Sequence, residues 1–173
     1  MNKTPWEKYP NIWKTESDYW NYIRGSFRRI WSRYPVKLEF KKNQAYLPPA
    51  DYKGKAKKMG TCALCGEKNI PISKLEVDHK EQVGSFNSRE SAFEWFWELL
   101  CEEENMQLVH KECHKIKSYA DRMNISFEEA RKEKEAIAIC KRKQDRQWLQ
   151  DRGIVPAGNS KARKQQIIDI LNS

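Results

Sequence analysis

The sequence predicts an α+β fold that is mostly helical, and three observations predict it. Several stretches repeat apolar residues at helical spacing behind residues that cap helices. Two short segments, residues 74–79 and the apolar 106–109, read as strands. A Cys-x-x-Cys pair, Cys62 and Cys65, is matched by a His-x-x-Cys pair, His110 and Cys113. Those four side chains suit a structural zinc, which prefers thiolate and imidazole in tetrahedral array.

From the N-terminus, Trp6, Trp13, Trp20 and Phe27 recur every seven residues, but Pro10 interrupts the series and rules out one continuous helix. Thr15-Glu-Ser-Asp places a carboxylate three residues after a threonine, so a helix is predicted from there to about Arg33. Trp20, Ile23, Phe27, Ile30 and Trp31 would form its core stripe, with Arg24, Arg28, Arg29 and Arg33 on the remainder. Pro35 stops it, and the alternating Val36–Phe40 reads as a short strand. Residues 41–60 read as a basic, irregular connection around Pro48-Pro49.

Within residues 61–118, Gly66 permits the chain reversal after Cys65. Ser88 or Asn87 is placed to cap a helix over residues 90–101, with Phe93, Phe96, Trp97 and Leu100 as its buried face. A further helix starts near Lys111 and breaks at Asn124. Ser126–Glu129 is a capping box that opens another helix to about Lys143. The tail reads helix, turn through Gly153, Pro156 and Gly158, then helix. The predicted organisation is therefore a basic N-terminal helix and linker (1–60), a metal-patterned core (61–118) and a helical extension (119–173).

Composition narrows the function classes. The chain has 173 residues, 33% of them charged, with 12% aromatic including seven Trp, which argues against a disordered chain. No apolar run approaches the ~20 residues of a membrane span, and no apolar stretch near the N-terminus resembles a secretory signal. Five cysteines, an odd number, point to metal ligation in a reducing cytoplasm rather than to a disulfide framework. The formal charge is +9, unevenly spread. Residues 1–60 carry 14 Lys/Arg against 5 Asp/Glu, residues 61–118 carry 7 against 11, and residues 119–173 carry 12 against 8. Basic arms flanking an acidic centre suit a polyanion such as DNA, or else form a solvated surface.

All three histidines lie in the central segment, and with His110 assigned to the zinc, Asp78, His79, Asn105 and His114 are left over. Those residue types serve metal-assisted phosphodiester hydrolysis. The order Val77-Asp78-His79, then Asn105-x-x-Leu108, then Cys113-His114 resembles the HNH endonucleases, in particular the zinc-bearing, phage-type members. Asn105 stands nine residues before His114, a separation usual in that family, and His110 stands where those members usually carry Cys.

The resemblance implies a ββα-metal core inside a treble clef stapled by a Cys3His zinc site, with helical extensions. It implies His79 as the general base and Asn105 as the residue that orients the His79 ring. Asp78 and His114 would bind a catalytic Mg²⁺ or Mn²⁺, and Cys62, Cys65, His110 and Cys113 the structural Zn²⁺. The partner would be double-stranded DNA, contacted by Lys117 and, from the basic helix, by Arg24, Arg28 and Arg29. Residues 149–171 loosely resemble the helix-extended-helix of SAP-type DNA-binding modules. A branched-DNA resolvase and a non-catalytic zinc DNA-binding protein are the alternative readings. The sequence does not set the oligomeric state.

Overall fold

A computed structural model describes residues 3–172. The architecture is α+β and mostly helical, with two small two-stranded sheets among the described residues. The chain divides into two compact units, Met1–Lys111 and Glu112–Ser173. The division falls at the start of a helix, so the basic N-terminal segment belongs to the same unit as the strands.

In the first unit, a short helix α1 (Pro5–Lys8) precedes α2 (Glu16–Ser32). Thr15 caps α2 as predicted, its hydroxyl accepting from the Asp18 N–H at 3.1 Å while the Asp18 carboxylate accepts from the Thr15 N–H at 3.0 Å. The predicted stripe packs through Trp20, Ile23, Phe27 and Trp31, but Ile30 is 48% exposed and lies off it.

The predicted strand at Val36–Phe40 is instead part of helix α3 (Pro35–Asn43). Pro35 sits at the first helical turn, where its missing N–H costs nothing and its fixed φ suits the helix, so it opens α3 rather than only closing α2. Alternation over five residues does not separate the two conformations; Phe40 turns inward and Leu38 stays exposed, as on a helix.

Strands β1 (Met59–Gly60) and β2 (Ile70–Pro71) pair antiparallel and bracket the Cys62–Gly66 turn. Gly60 sits at a close approach: a Cβ there would lie 2.6 Å from the Leu75 Cδ1, so that side chain would have to shift. Strands β3 (Leu75–His79) and β4 (Met106–His110) pair antiparallel, with Val77 opposite Leu108, Asp78 opposite Gln107 and His79 opposite Met106. Side chains alternate across this ladder. Leu75, Val77 and His79 therefore share one face with Met106 and Leu108, and Glu76 and Asp78 share the other with Gln107 and Val109.

Between the two strands, α4 (Arg89–Leu99) is capped by Ser88, which accepts from the Ser91 N–H at 3.2 Å. Its buried face is Trp95 and Leu99, each 3% exposed, not the predicted set. Phe93 and Trp97 are 68% and 63% exposed, and Phe96 and Leu100 are half-buried. Trp95 and Leu99 close a core with Trp20 and Phe86, where each such side chain contributes about 1.5–3 kcal/mol by leaving water.

The second unit contains α5 (Lys111–Met123), α6 (Phe127–Lys141), α7 (Asp145–Gln150) and α8 (Ser160–Asn172). Asn124 takes a left-handed φ of 53° and ends α5, and Ser126 with Glu129 forms the predicted capping box on α6. Ala136, Ile139, Leu149 and Ile167 form its core. Between α7 and α8 the turn uses Gly153 at φ 72°, and Arg163 closes it, bonding the carbonyls of Ala157 and Gly158 at 2.9 Å each and the Asp145 carboxylate at 2.7 Å.

Candidate metal centre and the residues around His79

The ligand atoms of Cys62, Cys65, His110 and Cys113 lie within 4.8 Å of one another. Four ligands around a zinc ion, with Zn–S near 2.3 Å, stand about 3.8 Å apart. The set therefore fits a tetrahedral metal, and among the described residues it is the group of three or more such ligands.

The backbone builds this site. Gly66, at φ 72°, donates its N–H to the Cys62 carbonyl at 2.9 Å, Cys62 N–H bonds the Glu67 carbonyl at 2.9 Å, and Ala63 N–H ties the turn to Leu108 of β4 at 2.8 Å. The second pair stands where β4 runs directly into α5: His110 ends the strand, and Cys113 lies in the first turn of the helix.

Burial raises the Cys62 thiol pKa, but N–H donation from His110, Cys65 and Leu64 outweighs it and brings the value down to about 7. A thiol so placed gives up its proton readily, as metal ligation requires. The His110 N–H lies 3.4 Å from the Cys62 Sγ, and the His110 Nδ1 lies 3.5 Å from the Cys65 Sγ. Its Nε2 faces the Glu67 carboxylate at 3.8 Å. That directs Nδ1 toward the sulfurs and leaves Nε2 to a carboxylate outside the ligand set, a common support for a metal-binding imidazole. Sequence reasoning missed Glu67; its place two residues after Cys65 was the available signal.

Asp78 and His79 are both 7% exposed at the end of β3. Asp78 accepts from the Gln107 Nε2 at 3.4 Å, across the ladder. The His79 Nε2 lies 2.9 Å from the Leu99 carbonyl oxygen, and its ring stacks on Trp31 at 4.2 Å with an interplanar angle of 29°. Being neighbours on a strand, Asp78 and His79 project from opposite faces.

Asn105, expected to orient the His79 ring, bonds the backbone that follows it. Its Oδ1 accepts from the Glu81 N–H at 2.9 Å, and its own carbonyl accepts from the Lys80 N–H at 2.8 Å. The amide thus pins the segment just after His79, while Leu99 and Trp31 hold the ring. A side-chain-to-backbone bond and a distant indole leave no mark in a local motif.

His114 lies one residue beyond Cys113 in the first turn of α5 and is half-buried. Lys117 pairs with Asp121 at 3.7 Å, its side chain 14% exposed, which leaves it less open to a phosphate than a solvated lysine. Arg24, assigned to DNA from sequence, donates to the Phe86 carbonyl and to the Asn21 Oδ1, joining α2 to the segment before α4. Arg28 and Arg29 are exposed.

No protein-family model, curated protein or solved structure matches the chain. No helix among the described residues is long and apolar enough to cross a membrane.

Proposed function

We propose that this chain is a metal-dependent HNH-type endonuclease that hydrolyses phosphodiester bonds of double-stranded DNA, with His79 as general base. The observation that carries the reading is the element order β3–β4–α5, with Asp78-His79 ending the first strand and Asn105 immediately before the second. The paired Cys3His ligands bracket that same segment.

The chemistry follows from the side chains. The Leu99 carbonyl only accepts, so it places the His79 proton on Nε2 and makes Nδ1 the basic nitrogen, suited to taking a proton from water. Stacking on Trp31 fixes the ring plane. Asn105 fixes the backbone that follows, so the imidazole is positioned before substrate arrives. A hard carboxylate, Asp78, and one imidazole, His114, are donor types that would suit Mg²⁺ or Mn²⁺ and would leave coordination positions for water and phosphate. Such an ion would stabilise the charge developing on the leaving 3′ oxygen, giving 5′-phosphate and 3′-hydroxyl ends. The Cys3His zinc would hold the Cys62–Gly66 turn to the β4–α5 junction.

Incubating supercoiled plasmid with the full chain and Mg²⁺ or Mn²⁺ tests this reading. Wild type should relax or linearise the plasmid, and His79→Ala should lose at least about a hundredfold in rate while still binding DNA. Cleavage undiminished in His79→Ala would remove its role as base. No cleavage with any divalent ion, alongside intact binding, would make the protein a zinc DNA-binding module.

A further inference from the structure

The C-terminal end of α2 and the start of α3 enclose an open cleft of about 400 Å³, lined by Arg29, Ile30, Ser32, Arg33, Tyr34 and Pro35. Two arginines, Arg29 and Arg33, are among its lining residues and none of those residues is acidic; the Ser32 hydroxyl donates to the Arg29 carbonyl at 2.7 Å, and the Arg29 guanidinium reaches the Gly25 carbonyl and the Ser26 hydroxyl only at 3.4 Å each. A row of rings connects the cleft to the candidate base. Tyr34, in the cleft wall, stands 5.9 Å from Trp31, and Trp31 stands 4.2 Å from His79. Lys37, in the first turn of α3, places its ammonium over the same Trp31 ring at 4.4 Å from its centre.

We propose that this cleft seats the phosphate backbone of duplex DNA, with Arg29 and Arg33 as its anchors and Lys37 as the cation that carries the strand on toward His79. The proposal rests on the nuclease reading for why DNA should approach His79. The cleft itself rests on its own chemistry. Paired guanidiniums without a carboxylate select a polyanion, and a planar fork suits phosphate oxygens. Lys37 is half-buried, and burial lowers its pKa against the opposing pull of Glu76 and Asp78. That places the ammonium within electrostatic reach of the carboxylate assigned to the catalytic ion. The acidic central segment needs such a cation, because DNA must approach Asp78 against like charge.

The test is equilibrium binding of a short labelled duplex by the full chain carrying His79→Ala, which prevents cleavage, as a function of salt. Each phosphate contact adds about 0.9 to the slope of log K against log salt, which is roughly eightfold in affinity at 0.1 M. Arg29→Gln with Arg33→Gln should lower the slope by about 1.8 and weaken binding about sixtyfold. Lys37→Gln should lower it by about 1 more, and Lys37→Arg should restore it. Lys68→Gln, an exposed cation in the turn beyond Cys65, should leave the slope unchanged. Arginine variants that fold like the parent and bind with its slope would overturn the proposal. In the cleavage assay the same arginine variants, made with His79 intact, should raise KM and leave kcat close to wild type. If the wild type cuts no DNA while the binding slopes change as described, the nuclease reading fails and the cleft stands as a DNA site.

Discussion

His79 donates from Nε2 to the backbone carbonyl of Leu99 at 2.9 Å, and this bond makes the helix inserted between β3 and β4 part of the candidate active site. The last carbonyls of a helix have no partner within it, so Leu99, the final residue of α4, has an acceptor to offer. Its side chain meanwhile is buried with Trp20, Phe86 and Trp95. One residue thus couples the packing of α4 on α2 to the orientation of an imidazole.

Leu99→Ala should therefore cost about 2–5 kcal/mol of stability, through lost burial and the cavity left behind. Urea unfolding followed by tryptophan fluorescence measures it. An unchanged midpoint would show that α4 does not contribute to the core as described.

Asn105→Ala should cost only about 1 kcal/mol of stability, since it removes one acceptor from the Glu81 N–H. Its effect on DNA cleavage should be much larger, on the order of a hundredfold in kcat, because the segment following the base loses its register. Asn105→Asp keeps an oxygen for that N–H and should recover part of the rate. Equal losses in both variants would show that the amide acts in some other way.

The parts legible in the sequence are those whose chemistry is local. Thr15 with Asp18 and Ser126 with Glu129 satisfy helix donors within four residues, so their helices begin where the capping pattern places them. The Cys62/Cys65 and His110/Cys113 pairs fix their own spacing, and the structure gathers all four. The face of α4 was not legible. Ala92, Phe93, Trp95, Phe96, Trp97, Leu99 and Leu100 are apolar nearly all round, so periodicity alone did not choose Trp95 and Leu99 over Phe93 and Trp97. The residues holding His79 were hidden for another reason. Trp31 falls in the core stripe expected of α2, but nothing in a helical stripe shows that it stacks on an imidazole 48 positions later. Leu99 acts through its backbone, which no side-chain motif records.

The Cys3His group should hold one zinc per chain, measurable by elemental analysis of the purified protein. Cys62→Ser or prolonged chelation should abolish cooperative thermal unfolding of the first unit, since a structural zinc contributes on the order of 10 kcal/mol to such a fold. Cys140→Ala, remote from the ligand set in sequence and absent from it, should retain the metal. A zinc-free native protein, or a Cys62→Ser variant of unaltered stability, would overturn the assignment.

The second unit should be acid-sensitive. The hydrogen bond from Arg163 holds the Asp145 carboxyl below its ordinary value, against the opposing effect of burial, and the pair is 2.7 Å apart with side chains 9% and 11% exposed. Because the folded pKa is depressed, the stabilisation is fully present above the ordinary carboxylate range. It is lost as pH falls through the lower, folded value. Asp145→Asn should remove most of that acid dependence. Arg163→Met should cost about 3–5 kcal/mol at neutral pH, because it leaves a carboxylate buried without its partner. Stability curves against pH for the three proteins check the sign. A variant with the wild-type acid limb would place the dependence elsewhere.

The proposed activity is metal-assisted hydrolysis of DNA at His79. It is tested most directly by mapping the ends produced from a defined, end-labelled duplex in Mg²⁺ or Mn²⁺, using zinc-loaded protein. Discrete breaks with 5′-phosphate and 3′-hydroxyl termini that a ligase can reseal are expected, absent without the added divalent ion and absent in His79→Ala. Termini of the opposite polarity, or the same breaks from His79→Ala, would contradict it.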